Sequence, residues 1–370
     1  MRMKKFLILA AVVAMSAACS HNYEVSPVAK DGGQISFGSW SDGLTRADDP
    51  HLTTAWVSGD TFSIFGAKKR ASGDPTVVTA FSGQTVTYDG SAWDYDNHRF
   101  WDVNYTSYEF YAISPSAIGS TCTVTPSTGA ISSSSITFQG GDADILVADK
   151  KVVERGDTPA SYFNTFGTVP LVFNHIAALV DFKIKKTATI TATVAVESVS
   201  LTNIDKVGTF SVSTAYNSTQ WGGTAGPVVT WSPTATGSYS NANGAEGAVT
   251  LPDDVTAVSA INGESATTGD DLIKSLVVMP QDFRDASDIQ TLNITYTITP
   301  SGGDLTRYTV AIPLHKFDIT YDTSNAATWV TGWEQGKHYT YYVTLDAHAI
   351  MFSASINNWT TDSGYHYLMN

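Results

Sequence analysis

Apolar side chains occupy every second position of the stretch TLNITYTIT, residues 291–299: Leu292, Ile294, Tyr296 and Ile298. Threonine or asparagine fills the positions between them. Because successive side chains of a β-strand point to opposite faces of the sheet, this pattern predicts a strand with one buried face. Threonine is β-branched and suits the polar face of such a strand, so lysine and glutamate are not needed there.

Runs of the same kind recur along the chain, with Gly-, Asp- and Ser-containing turns between them. In the first half they are TFSIFG (61–66), QTVTYD (84–89), SYEFYAIS (107–114), CTVTP (122–126) and SSITF (134–138). In the second half they include ALVDFKIKK (178–186), VAVESVSLTNI (194–204), TRYTVAIPL (306–314) and KHYTYYVTLDA (337–347). No amphipathic helix pattern extends beyond about three turns. The chain is therefore predicted to be all-β.

The length of 370 residues exceeds what one hydrophobic core comfortably covers, so two antiparallel β-sandwich domains in tandem are expected. A stretch containing Gly, Asp and Pro near residues 155–168 marks the junction. The predicted division is 1–18 signal peptide, 19–46 propeptide with the first strand, 47–163 N-terminal sandwich and 164–370 C-terminal sandwich. The Ser-, Thr-, Gly- and Asn-rich stretch 214–247 is predicted to be a loop insertion.

The N-terminus has the features of an export signal. MRMKKFLILAAVVAMSAA has a basic start, a ten-residue apolar run and small residues before Cys19. This arrangement resembles a lipobox, in which the cysteine becomes the new N-terminus and carries a lipid such as palmitate. Ser16 stands where leucine is usual, so an ordinary cleavage site with an incidental cysteine is the alternative. Cys122 is the only other cysteine and is predicted to be a buried strand residue.

The charge of the chain argues against some partners. The formal charge is −14, and removing the signal peptide takes away three basic residues and no acidic ones, which leaves −17. An acidic surface disfavours nucleic acid and anionic lipid head groups as partners.

Residues with catalytic or metal-binding chemistry do not form a recognisable pattern. No metal-ligand spacing, phosphate-binding loop or nucleophile motif occurs, so we expect no enzyme activity, no catalytic residue, no metal and no cofactor. The acidic pairs Asp142/Asp144 and Asp253/Asp254 are expected in loops rather than as glycosidase carboxylates. His175 lies in an apolar run and is expected to be a satisfied, half-buried histidine.

Several stretches, in their order along the chain, resemble the fimbrillin family of Gram-negative anaerobes, the type V pilins. They are AWVSGDTFSIFG (55–66), FWDVNYTSYEFYAISP (100–115), ADILVAD (143–149), VPLVFNHIAALVDFKI (169–184), LVVMPQ (276–281), GWEQGKHYTYYVTL (332–345) and IMFSASINNW (350–359). The resemblance implies a lipoprotein precursor with two transthyretin-like sandwiches and assembly into surface fimbriae by strand exchange. The implied location is the outer membrane and the cell-surface fimbrium, with other pilin subunits as partners.

In assembling members of that family, an arginine-specific protease cuts a loop after the first strand. Here the run QISFGSW (34–40) alternates, with Ile35 and Phe37 on one face, and is predicted to be the leaving strand. Arg46 follows among small and acidic residues, so the bond between Arg46 and Ala47 is the predicted cleavage site. An ordinary loop arginine is the alternative.

The opposite end of the chain supplies a candidate donor strand. Ile350, Phe352, Ala354 and Ile356 alternate with polar residues and Met351. Such a strand suits a groove on a neighbouring subunit. The alternative is that it forms the last strand of its own C-terminal domain.

A second class of function is a surface lipoprotein that binds a host protein or a glycan. Aromatic faces stack on sugar rings, and Trp221, Trp231 and Trp333 lie in loop-like contexts. Core packing is the alternative role of these tryptophans.

Overall fold

The computed structural model describes residues 33–39, 56–70, 76–125, 129–138, 144–156, 168–187, 189–221, 224–242, 249–251, 259–260, 276–316, 318–319, 328–345 and 350–358. Regular structure in these ranges is almost entirely β-strand, which confirms the all-β prediction. The helical turns in the same ranges are α1 at Ser116–Gly119 and a 3-10 helix at Leu314–Lys316. Within the described residues, neither turn approaches the length and apolarity of a membrane-crossing helix.

The strands of the first half are β1 (Phe37–Ser39), β2 (Thr61–Lys69), β3 (Val77–Tyr88), β4 (Trp93–Asp94), β5 (Ser107–Ser114), β6 (Thr123–Thr125), β7 (Ala130–Ser132), β8 (Ile136–Thr137), β9 (Leu146–Ala148), β10 (Lys151–Glu154), β11 (Val169–Leu171) and β12 (Phe173–His175). The second half contains β13 (Ala178–Lys186), β14 (Thr193–Trp221), β15 (Thr224–Ala242), β16 (Val249–Thr250), β17 (Ser259–Ala260), β18 (Leu276–Val278), β19 (Gln281–Asp282), β20 (Thr291–Thr299), β21 (Thr306–Pro313), β22 (Asp318–Ile319), β23 (Thr328–Trp329), β24 (Gly332–Trp333), β25 (Lys337–Leu345) and β26 (Ile350–Asn358).

The N-terminal sandwich has one large antiparallel sheet and one small layer. The large sheet has the order β12-β9-β5-β2-β3-β4, with β10 also paired to β5. The small layer contains β1 and β11, which run parallel. A core rich in aromatic rings collects residues from both layers, among them Phe62 and Phe110 of the large sheet and Phe37 of β1. Strand β2 is buried on both faces, because Phe65 belongs to the core of the other sandwich.

The C-terminal sandwich is built from two sheets that share one core. One sheet has the order β17-β13-β25-β26-β22-β23, and the other has the order β21-β20-β14-β7-β6. Apolar residues of both sheets form a single cluster, for example Phe182 and Tyr341 from the first sheet and Val199 and Ile294 from the second. The alternating stretch 291–299 is β20, whose Leu292 and Ile294 are buried as the alternation predicts.

The chain passes between the sandwiches later than the predicted boundary of 163/164. Strands β11 and β12 pair with β1 and β9, so residues up to His175 contribute to the N-terminal sandwich. Val169 and Leu171 alternate with Pro170 and are buried in its core, which explains this placement. In the other direction, β7 and β8 of the first half pair with β14 of the C-terminal sandwich.

The prediction of a loop over residues 214–247 is wrong for most of that stretch. Strands β14 and β15 form a long antiparallel ribbon, whose register runs from Ser198–Ala242 to Trp221–Thr224 with several irregularities. Valine, threonine and aromatic residues recur among the small polar residues of both strands, and they favour paired strands over a loop. Trp231 in β15 therefore lies in a strand, opposite Phe210.

Candidate functional site

The candidate site is the groove that holds residues 33–39, which we call the N-terminal segment. On one side it pairs antiparallel with the chain that follows β4. The Ile35 N–H donates to the Arg99 carbonyl over 2.8 Å, and the Trp101 N–H donates to the Gly33 carbonyl over 2.9 Å. These two hydrogen bonds flank an isolated antiparallel β-bridge between Gln34 and Phe100.

On its other side, the N-terminal segment pairs parallel with β11. Phe37 lies opposite Val169, and the Val169 N–H donates to the Ser36 carbonyl over 2.8 Å. Gly38 is tightly placed, because an added Cβ would lie 2.8 Å from Cγ2 of Thr168 and 3.7 Å from its Cβ. The segment is thus a middle strand with a backbone partner on each side.

Ile35 and Phe37 point into the core, where they are 1% and 3% exposed. The Phe37 ring contacts four aromatic rings, mostly edge to face, with centroid distances of 5.5–6.3 Å: Phe62, Phe81, Tyr95 and Phe110. Burying two such side chains stabilises the fold by roughly 1.5–3 kcal/mol each. Removing the segment would expose the aromatic rings of the groove to water.

Tyr95 is a residue of this site that the sequence analysis missed. Its hydroxyl donates to the Ile35 carbonyl over 2.6 Å and accepts from the Arg99 N–H over 3.2 Å. Burial raises the pKa of Tyr95 to about 12, so the phenol stays protonated at neutral pH. The turn residues Asp96 and Asn97, the latter with φ of 56°, were the available signal that the chain reverses here and brings the Tyr95 hydroxyl back to Arg99.

The predicted processing residues lie outside the described part of the chain. This holds for Cys19, Arg46 and Ala47. Arg46 falls in sequence between Ser39, where β1 ends, and Trp56, where description resumes. The Trp56 ring packs edge to face on Trp93 and Phe173, so the chain re-enters the same core after the predicted cleavage loop.

The candidate donor strand is β26, and here it belongs to its own C-terminal sandwich. It pairs antiparallel with β25 from Lys337–Asn358 to Leu345–Ile350 and parallel with β22. Ile356 is partly buried against the core, whereas the side chains of Ile350, Phe352 and Ala354 lie outside the description. This is the arrangement that the sequence analysis gave as the alternative.

Two of the three predicted glycan-stacking tryptophans, Trp231 and Trp333, pack against other side chains and do not lie in exposed loops. Trp333 is 2% exposed and its indole N–H donates to the Tyr341 hydroxyl over 2.8 Å, so the prediction of a loop surface ring is wrong for this residue. Trp231 packs on Phe138 and Phe210, and its N–H donates to the Ile176 carbonyl over 2.8 Å. Trp221 ends β14, and its side chain lies outside the description.

Two of the titratable residues singled out from the sequence, His175 and Asp144, form a buried pair with each other. His175 is buried rather than half-buried, and its Nδ1 contacts the carboxylate of buried Asp144. His338 makes a similar pair with Asp181 over 2.5 Å. Asp142, Asp253 and Asp254 lie outside the description. Within the described ranges, no three His, Cys, Asp or Glu residues come together as metal ligands do.

Cys122 was predicted to be a buried strand residue, but it is only partly buried and lies just before β6. Its thiol donates to the Ile118 carbonyl over 3.5 Å. Burial raises the pKa of this thiol to about 11, which keeps it neutral and weakly nucleophilic near pH 7.

Two β-sandwiches in tandem, the first completed by a short N-terminal strand, define the class of this protein. The chain belongs to the fimbrillin-like family, which matches residues 45–359. This confirms the resemblance drawn from the sequence.

Solved structures with a similar fold include a fimbrial protein from Bacteroides vulgatus, with 14% identity, 88% of this chain and 99% of that chain covered, and a TM-score of 0.53. The chain also matches the solved structure of the tip fimbrial protein Mfa3 from Porphyromonas gingivalis, with 12% identity, 85% of this chain and 97% of that chain covered, and a TM-score of 0.37. At 14% identity, the first likeness shows a shared fold. No functionally curated protein matches the chain.

Proposed function

We propose that the protein is a structural subunit or accessory component of surface fimbriae and that it joins its neighbours by strand exchange. In this proposal the N-terminal segment leaves its groove, and a strand from another subunit replaces it. The role is structural rather than catalytic, and adhesion follows from the polymer, with a host protein or glycan as the outer partner. Membership in the fimbrillin-like family supports the fimbrial part of the proposal.

The observation that carries the proposal is the position of the N-terminal segment. It is short, it has a backbone partner on each side, and it inserts Ile35 and Phe37 into an aromatic core. Loss of such a strand leaves unpaired N–H and C=O groups beside an apolar trough. A groove of this kind accepts an extended strand from another chain through main-chain hydrogen bonds and side-chain pockets.

Cleavage between Arg46 and Ala47 is the proposed trigger. The covalent link from Ser39 to Trp56 keeps the N-terminal segment at high local concentration, so an uncut chain holds its groove filled. After a cut by an arginine-specific protease, a segment that leaves its groove diffuses away and is diluted, so its departure becomes irreversible. The same cut separates the body from Cys19, which we propose carries the lipid that anchors the precursor to the outer membrane.

The proposed donor is β26, with Ile350, Phe352, Ala354 and Ile356 as the inserted residues. Ile350 and Phe352 have the same spacing and identity as Ile35 and Phe37, so one register places equal side chains in the same pockets. Donation requires that β26 gives up its pairing with β25 and β22. Burying each large apolar side chain in the groove contributes roughly 1.5–3 kcal/mol of free energy, which offsets the lost strand pairing.

The test is assembly of Arg46→Ala, with Arg46→Lys as a control that keeps the charge. We expect the unmodified protein on the cell surface to begin at Ala47 and to form detergent-resistant ladders. Both variants should fold and reach the surface, yet remain monomeric, because neither offers an arginine to the protease. Ladders of normal length from both variants, or assembled protein that still begins at Cys19, would refute the proposed trigger.

A further inference from the structure

We propose that Tyr95 is the positioning residue of the groove: its hydroxyl binds a main-chain carbonyl of whichever strand fills the site and thereby holds the backbone of that strand beside Arg99. This inference rests on the proposed strand exchange and names the group that receives the incoming partner. It predicts a partner of a defined kind, an extended strand recognised partly through its backbone.

The Tyr95 hydroxyl replaces one hydrogen bond of an antiparallel ladder. In such a ladder every second pair of directly opposed residues exchanges two N–H···O bonds, and Ile35 and Arg99, which flank the bridge between Gln34 and Phe100, occupy such a position. Between Ile35 and Arg99 one of them is present, from the Ile35 N–H to the Arg99 carbonyl over 2.8 Å. In place of the reciprocal bond, the Arg99 N–H donates to the Tyr95 hydroxyl over 3.2 Å, and this hydroxyl donates to the Ile35 carbonyl over 2.6 Å. The phenol thus relays the missing bond.

The direction of the relay follows from the distances. The Arg99 carbonyl lies 3.5 Å from the Tyr95 hydroxyl, at the limit for a hydrogen bond, so the Ile35 carbonyl at 2.6 Å is the favoured acceptor. The Tyr95 phenol carries its proton under physiological conditions, and burial raises its pKa further, to about 12. The hydroxyl therefore remains a donor toward the strand.

The tyrosine ring is held in place independently of the hydroxyl. It packs against Phe81 at 5.6 Å, against His98 at 5.4 Å and against Phe37 of the segment at 5.7 Å. Two of these three rings belong to the groove and stay when the segment leaves. The hydroxyl is thus fixed before a new strand arrives, and its partner is a backbone carbonyl that every strand possesses.

The test separates the hydroxyl from the ring. The full mature chain receives an inserted specific-protease site between Ser41 and Arg46 and is cleaved there, and a labelled synthetic peptide with the sequence of residues 33–40 replaces the segment. Two versions of the peptide are compared, one natural and one with an ester in place of the Ile35–Ser36 amide, which weakens the Ile35 carbonyl as an acceptor. Each is measured on the unchanged protein, on Tyr95→Phe and on the control Tyr88→Phe, whose ring packs on Trp93 in the same sandwich.

We expect the natural peptide to dissociate about three- to tenfold faster from Tyr95→Phe than from Tyr88→Phe, the range for one lost hydrogen bond. The ester should accelerate dissociation from the unchanged protein and from Tyr88→Phe, and should matter less in Tyr95→Phe, because the ester and the missing hydroxyl remove the same contact. Equal ester effects in all three proteins would overturn the role of Tyr95. If Tyr95 only packed in the core, Tyr95→Phe would change the stability of the protein, but the ester would have the same effect with and without the Tyr95 hydroxyl.

A second measurement tests the hydrogen-bond assignment of Tyr95 separately from strand exchange. In the uncut chain, the Arg99 amide loses its acceptor in Tyr95→Phe, so its hydrogen exchange should accelerate at least about tenfold while Tyr88→Phe leaves it unchanged. Unaltered Arg99 exchange would contradict the relay. Absence of peptide exchange in every protein, together with accelerated Arg99 exchange, would instead refute the strand-exchange function and keep the hydrogen-bond assignment.

Discussion

Phe37 shows at the scale of one residue how the N-terminal segment is held. Its ring fills the space among four aromatic rings, so it contributes both buried area and edge-to-face contacts. The period-two pattern of QISFGSW predicted that Ile35 and Phe37 share a buried face, because alternation is a local property of a strand. Tyr95 escaped prediction, since its partners are the backbone of a segment 60 residues away and become visible only in the fold.

Truncation of Phe37 tests this description. We expect Phe37→Ala to lower the free energy of unfolding of the N-terminal sandwich by about 3–5 kcal/mol, the usual cost of removing a buried phenylalanine. Gln34→Ala, in the same segment but on its outer face, should change it by less than about 0.5 kcal/mol. Denaturant titration of the uncut chain, followed by the fluorescence of the aromatic core, measures both. Similar losses in the two variants would show that the segment adds no packing to the core.

At the scale of elements, pairing partners were harder to predict than the strands themselves. Strand-forming residues between turns located β2, β5, β20 and β25, and one-sided burial leaves a clear period-two pattern in β20, whereas β2 and β5 are buried on both faces. The ribbon of β14 and β15 was predicted to be a loop, since its small polar residues resemble linker composition when the cross-strand partner is unknown. The position of β26 in the middle of its sheet could not be predicted from the sequence either, because strand order is set by long-range packing.

A disulfide between positions 38 and 168 can hold the N-terminal segment covalently in its groove. The Cβ–Cβ distance of 3.7 Å between positions 38 and 168 falls in the range that a disulfide spans. We expect Gly38→Cys with Thr168→Cys, in a Cys122→Ser background, to form this bond under oxidising conditions. After cleavage at Arg46, mass spectrometry should find the segment retained, and fimbrial ladders should be absent until a reductant is added.

The matched control for the lock is Gly38→Cys alone, which tests the effect of the side chain next to Thr168 without the bond. Ladders formed by the fully oxidised double variant would mean that assembly does not require the segment to leave.

At the scale of the whole molecule, each sandwich contains one of the two parts that the proposed strand exchange requires. The first contains the groove with its N-terminal segment, and the second contains the candidate donor strand in the middle of a sheet. The tandem arrangement was predictable from length and from regular strand spacing. The crossing point at Ile176 was not, because residues 169–175 are apolar enough for either core and only the assembled layers show which one they join. In the proposed polymer, each molecule receives a strand in one sandwich and gives one from the other.

The most direct test of this exchange is a covalent link between the groove of one molecule and the donor strand of the next. When Ile350 and Phe352 take the places of Ile35 and Phe37, Ser353 takes the place of Gly38, next to Thr168, whose Cγ2 has to turn away because it lies 2.8 Å from a Cβ at this position. Fimbriae assembled from Thr168→Cys, Ser353→Cys and Cys122→Ser protein should therefore form disulfides between subunits on oxidation, seen as a ladder in denaturing, non-reducing electrophoresis and as a 168–353 peptide by mass spectrometry. Assembled fimbriae that dissociate fully to monomers under these conditions, with the N-terminal segment still in its groove, would contradict the account.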